Sequence, residues 1–253
     1  MTRGDVTSTG RARRLYVDTG LSEGCEIALA RGQLHYVRDV IRVRNGDGLF
    51  VFNGRDGEWQ GRVALSRREA TIALLHRTRA QEPACDLHFL FAPLKHARLD
   101  YMVQKATELG VARLVPVITG RTGASRVNLA RMRANAVEAA EQCGLVSVPV
   151  IGEPVELASL IADWPAGRAL VFADETAARQ PDYGGLAALR GRPMALIVGP
   201  EGGFSPQERA ALAGLAATMA ISLGPRIMRA DTAAVAALGL IQALAGDWTI
   251  ADR

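Results

Sequence analysis

Two short segments set glycine and proline beside an acid, and in the second beside arginine, where main chain can meet a ligand. They are Met194–Glu208, MALIVGPEGGFSPQE, and Ile221–Ala234, ISLGPRIMRADTAA. In the first, Gly199, Gly202 and Gly203 allow positive φ and let a bound molecule approach the backbone without a Cβ in the way. A turn of this kind either simply reverses the chain tightly or presents N–H and C=O groups to a ligand at the carboxyl end of a strand. Neither G-x-G-x-x-G nor G-x-x-x-x-G-K-[ST] occurs, so the dinucleotide fingerprint and the phosphate loop are both excluded.

The flanking residues say what must hold these turns. Ala195–Val198 is a continuous apolar run of the kind buried on both faces of a parallel sheet. Ser205, Pro206 and Glu208 then read as a helix start, with a capping box and proline at the first helical position. The second segment repeats the plan: a short apolar strand from Ile221, a Gly224-Pro225 turn, and an alanine-rich helix that Asp231 or Thr232 can cap.

Upstream, the pattern differs. RRLYV, EIAL, GLFVFNG, EWQGRVALS and ATIALLH read as short strands separated by Asn-Gly and Asp-Gly turns, with one helix near Gln33–Ile41. This is a small β-rich, barrel-like domain with Phe52 and Trp59 in its core. His35, Arg38, Arg42 and Arg44 crowd around its helix, where His35 is either packed or a contact for nucleic acid. The polar, proline-ended stretch HRTRAQEPA marks a boundary, giving domains 1–80 and 81–253. Beyond it strands and helices alternate, which predicts a parallel α/β sheet.

With 253 residues, 49% hydrophobic and 22% charged, the composition is that of a soluble protein. No secretory signal or membrane-length apolar run is visible, so a cytoplasmic location is expected. Cys25, Cys85 and Cys143 lack disulfide or metal-ligand spacing, and no metal is expected. Residues 1–80 hold 14 Arg against 9 acids, so the basic excess is N-terminal. Arg3, Arg11, Arg13 and Arg14 form a basic arm that either meets nucleic-acid phosphate or is a solvated tail of an arginine-rich chain.

GPEGGFS followed by LGPRIMRADTA closely resembles the paired motifs of the bacterial 16S ribosomal RNA uridine-N3 methyltransferase family, in the SPOUT superfamily of S-adenosylmethionine (SAM) enzymes. LKHARLDYMVQKATELGV, EAAEQCG and HYVRDVIRVRNGDGLFVFNG are similar to its other blocks, in the same order. The resemblance implies an N-terminal PUA-like β-barrel domain that binds RNA, then a SPOUT α/β domain with a C-terminal trefoil knot. It implies that Ala173, Val198, Gly199, Pro200, Glu201, Gly202, Gly203, Leu223, Gly224, Ile227, Met228 and Arg229 bind SAM. Arg11, Arg13, Arg14, Arg38 and Lys95 are expected to meet RNA, Lys95 as part of a cluster with His96 and Arg98. Leu145 departs from the arginine often seen there in the family, and Asp231 from a glutamate.

The implied chemistry is specific. N3 of uridine is a poor nucleophile until its imide proton leaves, so a positioned base helps. Arg229 is the candidate for stabilising the resulting anion, with Glu201 or Asp231 as base or arginine orienter. Methylation of a ribose 2′-hydroxyl or another base, and a non-catalytic RNA-binding role, are the alternatives. The partner is 16S rRNA or the assembled small subunit. A homodimer is expected through the helix Thr232–Ala245, whose small residues permit close approach; packing on its own sheet is the other use of that helix.

Overall fold

The computed structural model describes residues 13–82, 85–95, 97–123, 126–174 and 183–249. These form two compact units. Residues 13–82 group with Ala140–Val148, and the remaining described residues form the second unit.

The first unit is a five-stranded sheet made of β1 (Arg14–Tyr16), β2 (Glu26–Ala28), β3 (Gly48–Phe52), β4 (Glu58–Leu65) and β5 (Ala70–Arg79), in the order β1-β3-β4-β5-β2. Only β1 and β3 run parallel. No ladder joins β1 to β2 among the described residues, so the expected barrel is not closed by hydrogen bonds; each of these edge strands is three residues long. Alternating residues, among them Leu49, Val51, Val63, Ile72 and Leu74, make its core. Phe52 is fully buried and Trp59 packs against that core, as the sequence suggests. The expected helix is α1 (Arg31–His35) running on as a π-helical turn, Tyr36–Val40, after which Arg42 takes φ 53°.

Arg14 requires a correction. Instead of facing RNA it is 7% exposed, its Nε donates to Glu58 Oε2 at 2.7 Å, and its other nitrogens donate to the carbonyls of Ala140 and Leu145 at 2.8 Å each. A guanidinium this deep must be fully partnered, and here all its directions are used to hold Ala140–Val148 to the sheet. Glu141 completes the attachment, accepting from Tyr16 N–H and Tyr36 O–H.

The second unit holds β6 (Leu87–Phe91), α2 (Ala97–Glu108), β7 (Arg113–Ile118), α3 (Leu129–Cys143), β8 (Val150–Ile151), β9 (Val155–Glu156), α4 (Leu157–Ala162), β10 (Ala169–Ala173), α5 (Gly184–Ala187), β11 (Met194–Val198), α6 (Pro206–Ala213), β12 (Thr218–Ile221) and α7 (Ala230–Leu244); the last turn of α3 belongs with the first unit. All its strand pairs are parallel, in the order β12-β10-β11-β6-β7-β8, with β9 also on β7. Every residue of β11 is buried, which is why that strand shows no polar alternation. Leu157 of α4 and Leu212 of α6 pack with Leu90, Val115, Leu170, Phe172 and Ile197 on one face. On the other, α7 packs against β11 and α2.

Three expectations shift in this unit. The strand before the second glycine turn is Thr218–Ile221, so Ile221 ends it rather than opens it. Helix α7 is capped by Arg229, which makes no side-chain cap bond, and Asp231 lies inside the first turn, not at the cap. Ala237, Leu238 and Ile241 are buried within this chain, so much of the helix expected at a dimer interface packs inside it; the face left partly open is Val235, Ala236, Gly239, Leu240 and Ala243.

Candidate functional site

Strands β12, β10 and β11 are neighbours and end together, so the loops that leave their carboxyl ends converge. One cleft lies between those loops. Ala173, Val198, Gly199, Pro200, Glu201, Gly203, Leu223, Gly224, Ile227 and Met228 all line it; Gly202 and Arg229 do not.

The first loop is built from its own residues. The chain leaves β11 at Gly199 and folds over Phe204, whose ring is buried and meets Phe172 edge-on at 5.2 Å. A Cβ at Gly199 would sit 2.8 Å from that ring, so it is the close approach of Phe204 that requires glycine here. Gly203 takes φ 66° and returns its N–H to Pro200 O at 2.8 Å. Positive φ was expected at Gly199, Gly202 and Gly203; only Gly203 has it.

Ser205, Pro206 and Glu208 then form the expected capping box: Glu208 N–H donates to Ser205 Oγ at 3.2 Å, and Ser205 N–H donates to Glu208 Oε2 at 2.7 Å. The second Glu208 oxygen accepts from Gly120 N–H at 2.8 Å. Burial works against this carboxylate, but the Gly120 and Ser205 donors and the nearby Arg121 outweigh it and hold its pKa below the ordinary glutamate value. Two arginines fix the rest of the loop. Arg121 Nη1 donates to Gly202 O at 2.6 Å, and Arg98 Nη1 meets Glu201 Oε1 at 2.6 Å while its Nε stands 4.0 Å from Asp231 Oδ2.

The second loop is held more lightly. Gly224 adopts φ 97°, and Tyr183 O–H donates to Ser222 O at 2.9 Å. Past that point Pro225, Arg226 and Arg229 are exposed, and Ile227 is 91% exposed despite being apolar. The guanidiniums of Arg226 and Arg229 have no hydrogen-bond or ion-pair partner among the described residues.

Sequence reasoning missed several residues of this site. Asp174, one residue past β10, lines the cleft in an ion pair with Arg209 of α6. Its signal was the single acid that ends an otherwise apolar strand, ALVFAD. Arg121 and Phe204 carried no such signal, because their importance lies in packing between segments far apart in sequence. Chemically, the cleft joins apolar surface from Val198, Phe204, Ile221 and Leu223 to loop main chain and two carboxylates, Asp174 and Glu201. That combination suits a flat ring carrying hydroxyl and cationic groups. No cluster of three metal-binding side chains occurs among the described residues.

Of the residues expected to meet RNA, Arg13 is exposed and paired with Asp47 at 2.8 Å, Arg38 is exposed and bonded to Asp39, and Lys95 is exposed. Arg14 is spent inside the fold, as described above. Arg3, Arg11 and His96 lie outside the described residues. His35 is exposed, with Nδ1 2.6 Å from Asp39 Oδ2. No described helix is long and apolar enough to cross a membrane.

Comparison with known proteins identifies the two units. Residues 81–242 match an RNA methyltransferase domain, and residues 29–75 match the PUA domain of RNA methyltransferases. The chain is 30% identical to ribosomal RNA small subunit methyltransferase E of Rickettsia conorii over 91% of its own length and 95% of that protein's. It is also 30% identical to the protein of the same name from Mycobacterium bovis, with 94% of each covered. Among solved structures, it resembles ribosomal RNA small subunit methyltransferase E from Neisseria gonorrhoeae bound to S-adenosyl methionine, with a TM-score of 0.83 and 26% identity over 94% of this chain and 100% of that one. A methyltransferase from Legionella pneumophila with bound SAM gives a TM-score of 0.81 at 27% identity, again over 94% and 100%.

Proposed function

We propose that this chain, which belongs to the RNA methyltransferase family, transfers the methyl group of SAM to N3 of a uridine in the 16S rRNA of the small ribosomal subunit. The observation that carries this reading is the cleft at the carboxyl ends of β10, β11 and β12, where nearly every residue expected to hold SAM comes together. Its apolar wall and loop main chain suit the adenine, and Asp174 suits the ribose hydroxyls or the cationic amino-acid end. When bound, SAM supplies an activated sulfonium methyl group, so no metal or covalent intermediate is required of the protein.

The chain's residues then have three tasks. The loops align the uridine ring with the methyl group, which is where most of the acceleration of a two-substrate transfer can arise. Glu201, a carboxylate of the cleft wall fixed by Arg98, accepts the imide proton. Arg229, exposed beside the cleft, stabilises the negative charge left on the uridine carbonyls. Asp231, close to Arg98, helps to keep that arginine in place.

In this reading residues 1–80 are the PUA-like RNA-binding domain, with Arg13, Arg38 and Lys95 on RNA, and residues 81–253 are the SPOUT domain. The trefoil knot belongs to the same reading, supported by the motif resemblance and by the reversals of strand order at β10, β11 and β12. A homodimer in the cytoplasm is the working form, joined through the open α7 face of Val235, Gly239 and Ala243. Nucleoside mass spectrometry of small-subunit RNA after incubation with labelled SAM tests the proposal. One 3-methyluridine per subunit is expected; label in a ribose or in another base would replace N3 as the target.

A further inference from the structure

The first unit contains a groove of about 790 Å³, and its lining is strongly basic. One wall is α1 with its π-helical turn, bearing Arg31, His35 and Arg38; the other is the turn between β4 and β5, bearing Arg67 and Arg68. We propose that this groove grips the phosphate backbone of a base-paired RNA stem, independently of its sequence. The proposal deepens the rRNA-methyltransferase reading and rests on it for the identity of the polyanion.

The groove is built rather than incidental. Ser66 N–H and Oγ both donate to Glu69 O, at 2.8 and 3.0 Å, and Ser66 Oγ accepts from the N–H groups of Arg68 and Glu69. That closed turn projects Arg67 and Arg68 outward. Arg38 Nη1 crosses the groove to Arg67 O at 3.1 Å, and Leu29 N–H bonds Ala70 O at 2.9 Å, so the two walls are tied. Each lining arginine is exposed, and among the described residues the guanidiniums of Arg31, Arg67 and Arg68 have no hydrogen-bond or ion-pair partner. Against them the described lining offers one acid, Glu69; Asp39, bonded to Arg38 and His35, is not part of it.

The lining also says which feature of RNA is read. Among the described residues no Phe, Tyr or Trp borders the groove, so these residues offer no platform on which an unpaired base can stack. Sequence-specific RNA recognition relies on such stacking and on splayed-out bases. Planar guanidinium forks instead match phosphate oxygens. The rigid backbone of a stem, with phosphates at fixed spacing, fits a rigid basic groove, whereas a single strand would have to be ordered first.

Fluorescence anisotropy with a 20-base-pair RNA stem, titrated over a range of salt, tests the inference on the full chain. The variant Arg31→Ala/Arg67→Ala/Arg68→Ala should bind the stem roughly 10–100-fold more weakly, and the slope of log affinity against log salt should fall by about 3, near one for each lost phosphate contact. Two stems of unrelated sequence should weaken alike, and the corresponding triple Lys variant should keep most of the slope. A triple Ala variant that melts and binds SAM like the parent yet keeps its stem affinity and slope would overturn the groove; so would a loss confined to single-stranded RNA. Failure of the underlying reading would show separately, as no methyl transfer to small subunits by the unaltered protein.

Discussion

The two loops that shape the cleft contrast in how they are held. Gly199–Phe204 is tied on all sides: Phe204 anchors it from below, Glu208 closes the capping box and reaches Gly120, and Arg98 and Arg121 clamp its outer edge. Among the described residues, Leu223–Met228 is restrained by Gly224 at φ 97° and the contacts at Ser222, and it leaves an isoleucine in solvent. Exposed apolar surface at the lip of a cleft is most simply kept for something that covers it. The first loop is therefore a preformed floor, and the second keeps apolar surface that a ligand can cover. Substitutions at the constrained positions of the floor, Gly199 and Gly203, should cost stability and cofactor affinity together, and those in the second loop should cost affinity alone.

The largest effect is expected at Gly199. Gly199→Val places a branched side chain against the Phe204 ring, where even a single Cβ would come within 2.8 Å. Overpacking of this type costs about 1–3 kcal/mol, and because Phe204 supports both loop and core, SAM affinity measured by calorimetry should fall by about 100-fold or more. A stable variant with parental affinity would show that the floor is not preformed. Gly203→Ala comes next. Its φ of 66° is hard for a residue with a Cβ, costing about 1–2 kcal/mol in thermal or denaturant unfolding, with a parallel loss of affinity.

Glu208 adds a pH signature to the floor. Its carboxylate has a lowered pKa in the folded protein, so the unfolded chain takes up a proton more readily. Its stabilising contribution is complete above the unfolded glutamate value, about 4.3, and is lost as pH falls through the lower folded value. Unfolding midpoints measured between pH 6 and pH 3 should show a smaller acid loss in Glu208→Gln than in the parent. Equal acid losses would mean that this carboxylate contributes nothing to holding the loop.

Much of this contrast is legible in the sequence, and the reason is local. The capping box, the buried run before it and the strands of the first unit each depend on residues within a few positions of one another, and each is found where the spacing puts it. What escaped notice is long-range. Arg14 sits in a basic run and looks like a solvent-facing arm, yet Glu58, Ala140 and Leu145 draw it inside from positions 44, 126 and 131 residues away. Asp174 and Arg209 meet across 35 residues, and the reason for glycine at 199 is a ring five residues on that only the folded turn brings beneath it.

The second loop should respond in the opposite way. Ile227→Ala removes apolar surface that is already 91% in water, so the melting temperature should stay put, within the roughly 0.5 kcal/mol usual for surface changes. SAM affinity should drop about 3–10-fold if the side chain closes on the cofactor, in line with the apolar area it can bury. A stability loss matching that of Gly203→Ala would erase the distinction between the loops.

The smallest effect is expected at Gly202, although it sits in the middle of GPEGG. It does not line the cleft, and its φ is not positive. A Cβ there would lie 3.4 Å from Cδ and 3.7 Å from Cβ of Arg121, which is ordinary contact with a flexible side chain. The Arg121 bond is to the Gly202 carbonyl, which any residue supplies. Gly202→Ala should therefore leave SAM affinity within about twofold and stability within about 0.5 kcal/mol. Gly202→Val, bulkier on the same side, should act by displacing Arg121, so pairing it with Arg121→Ala should restore much of the loss. If Gly202→Ala instead abolishes SAM binding while the protein stays folded, the cofactor reaches the far side of the loop, and the floor is contacted on both of its faces.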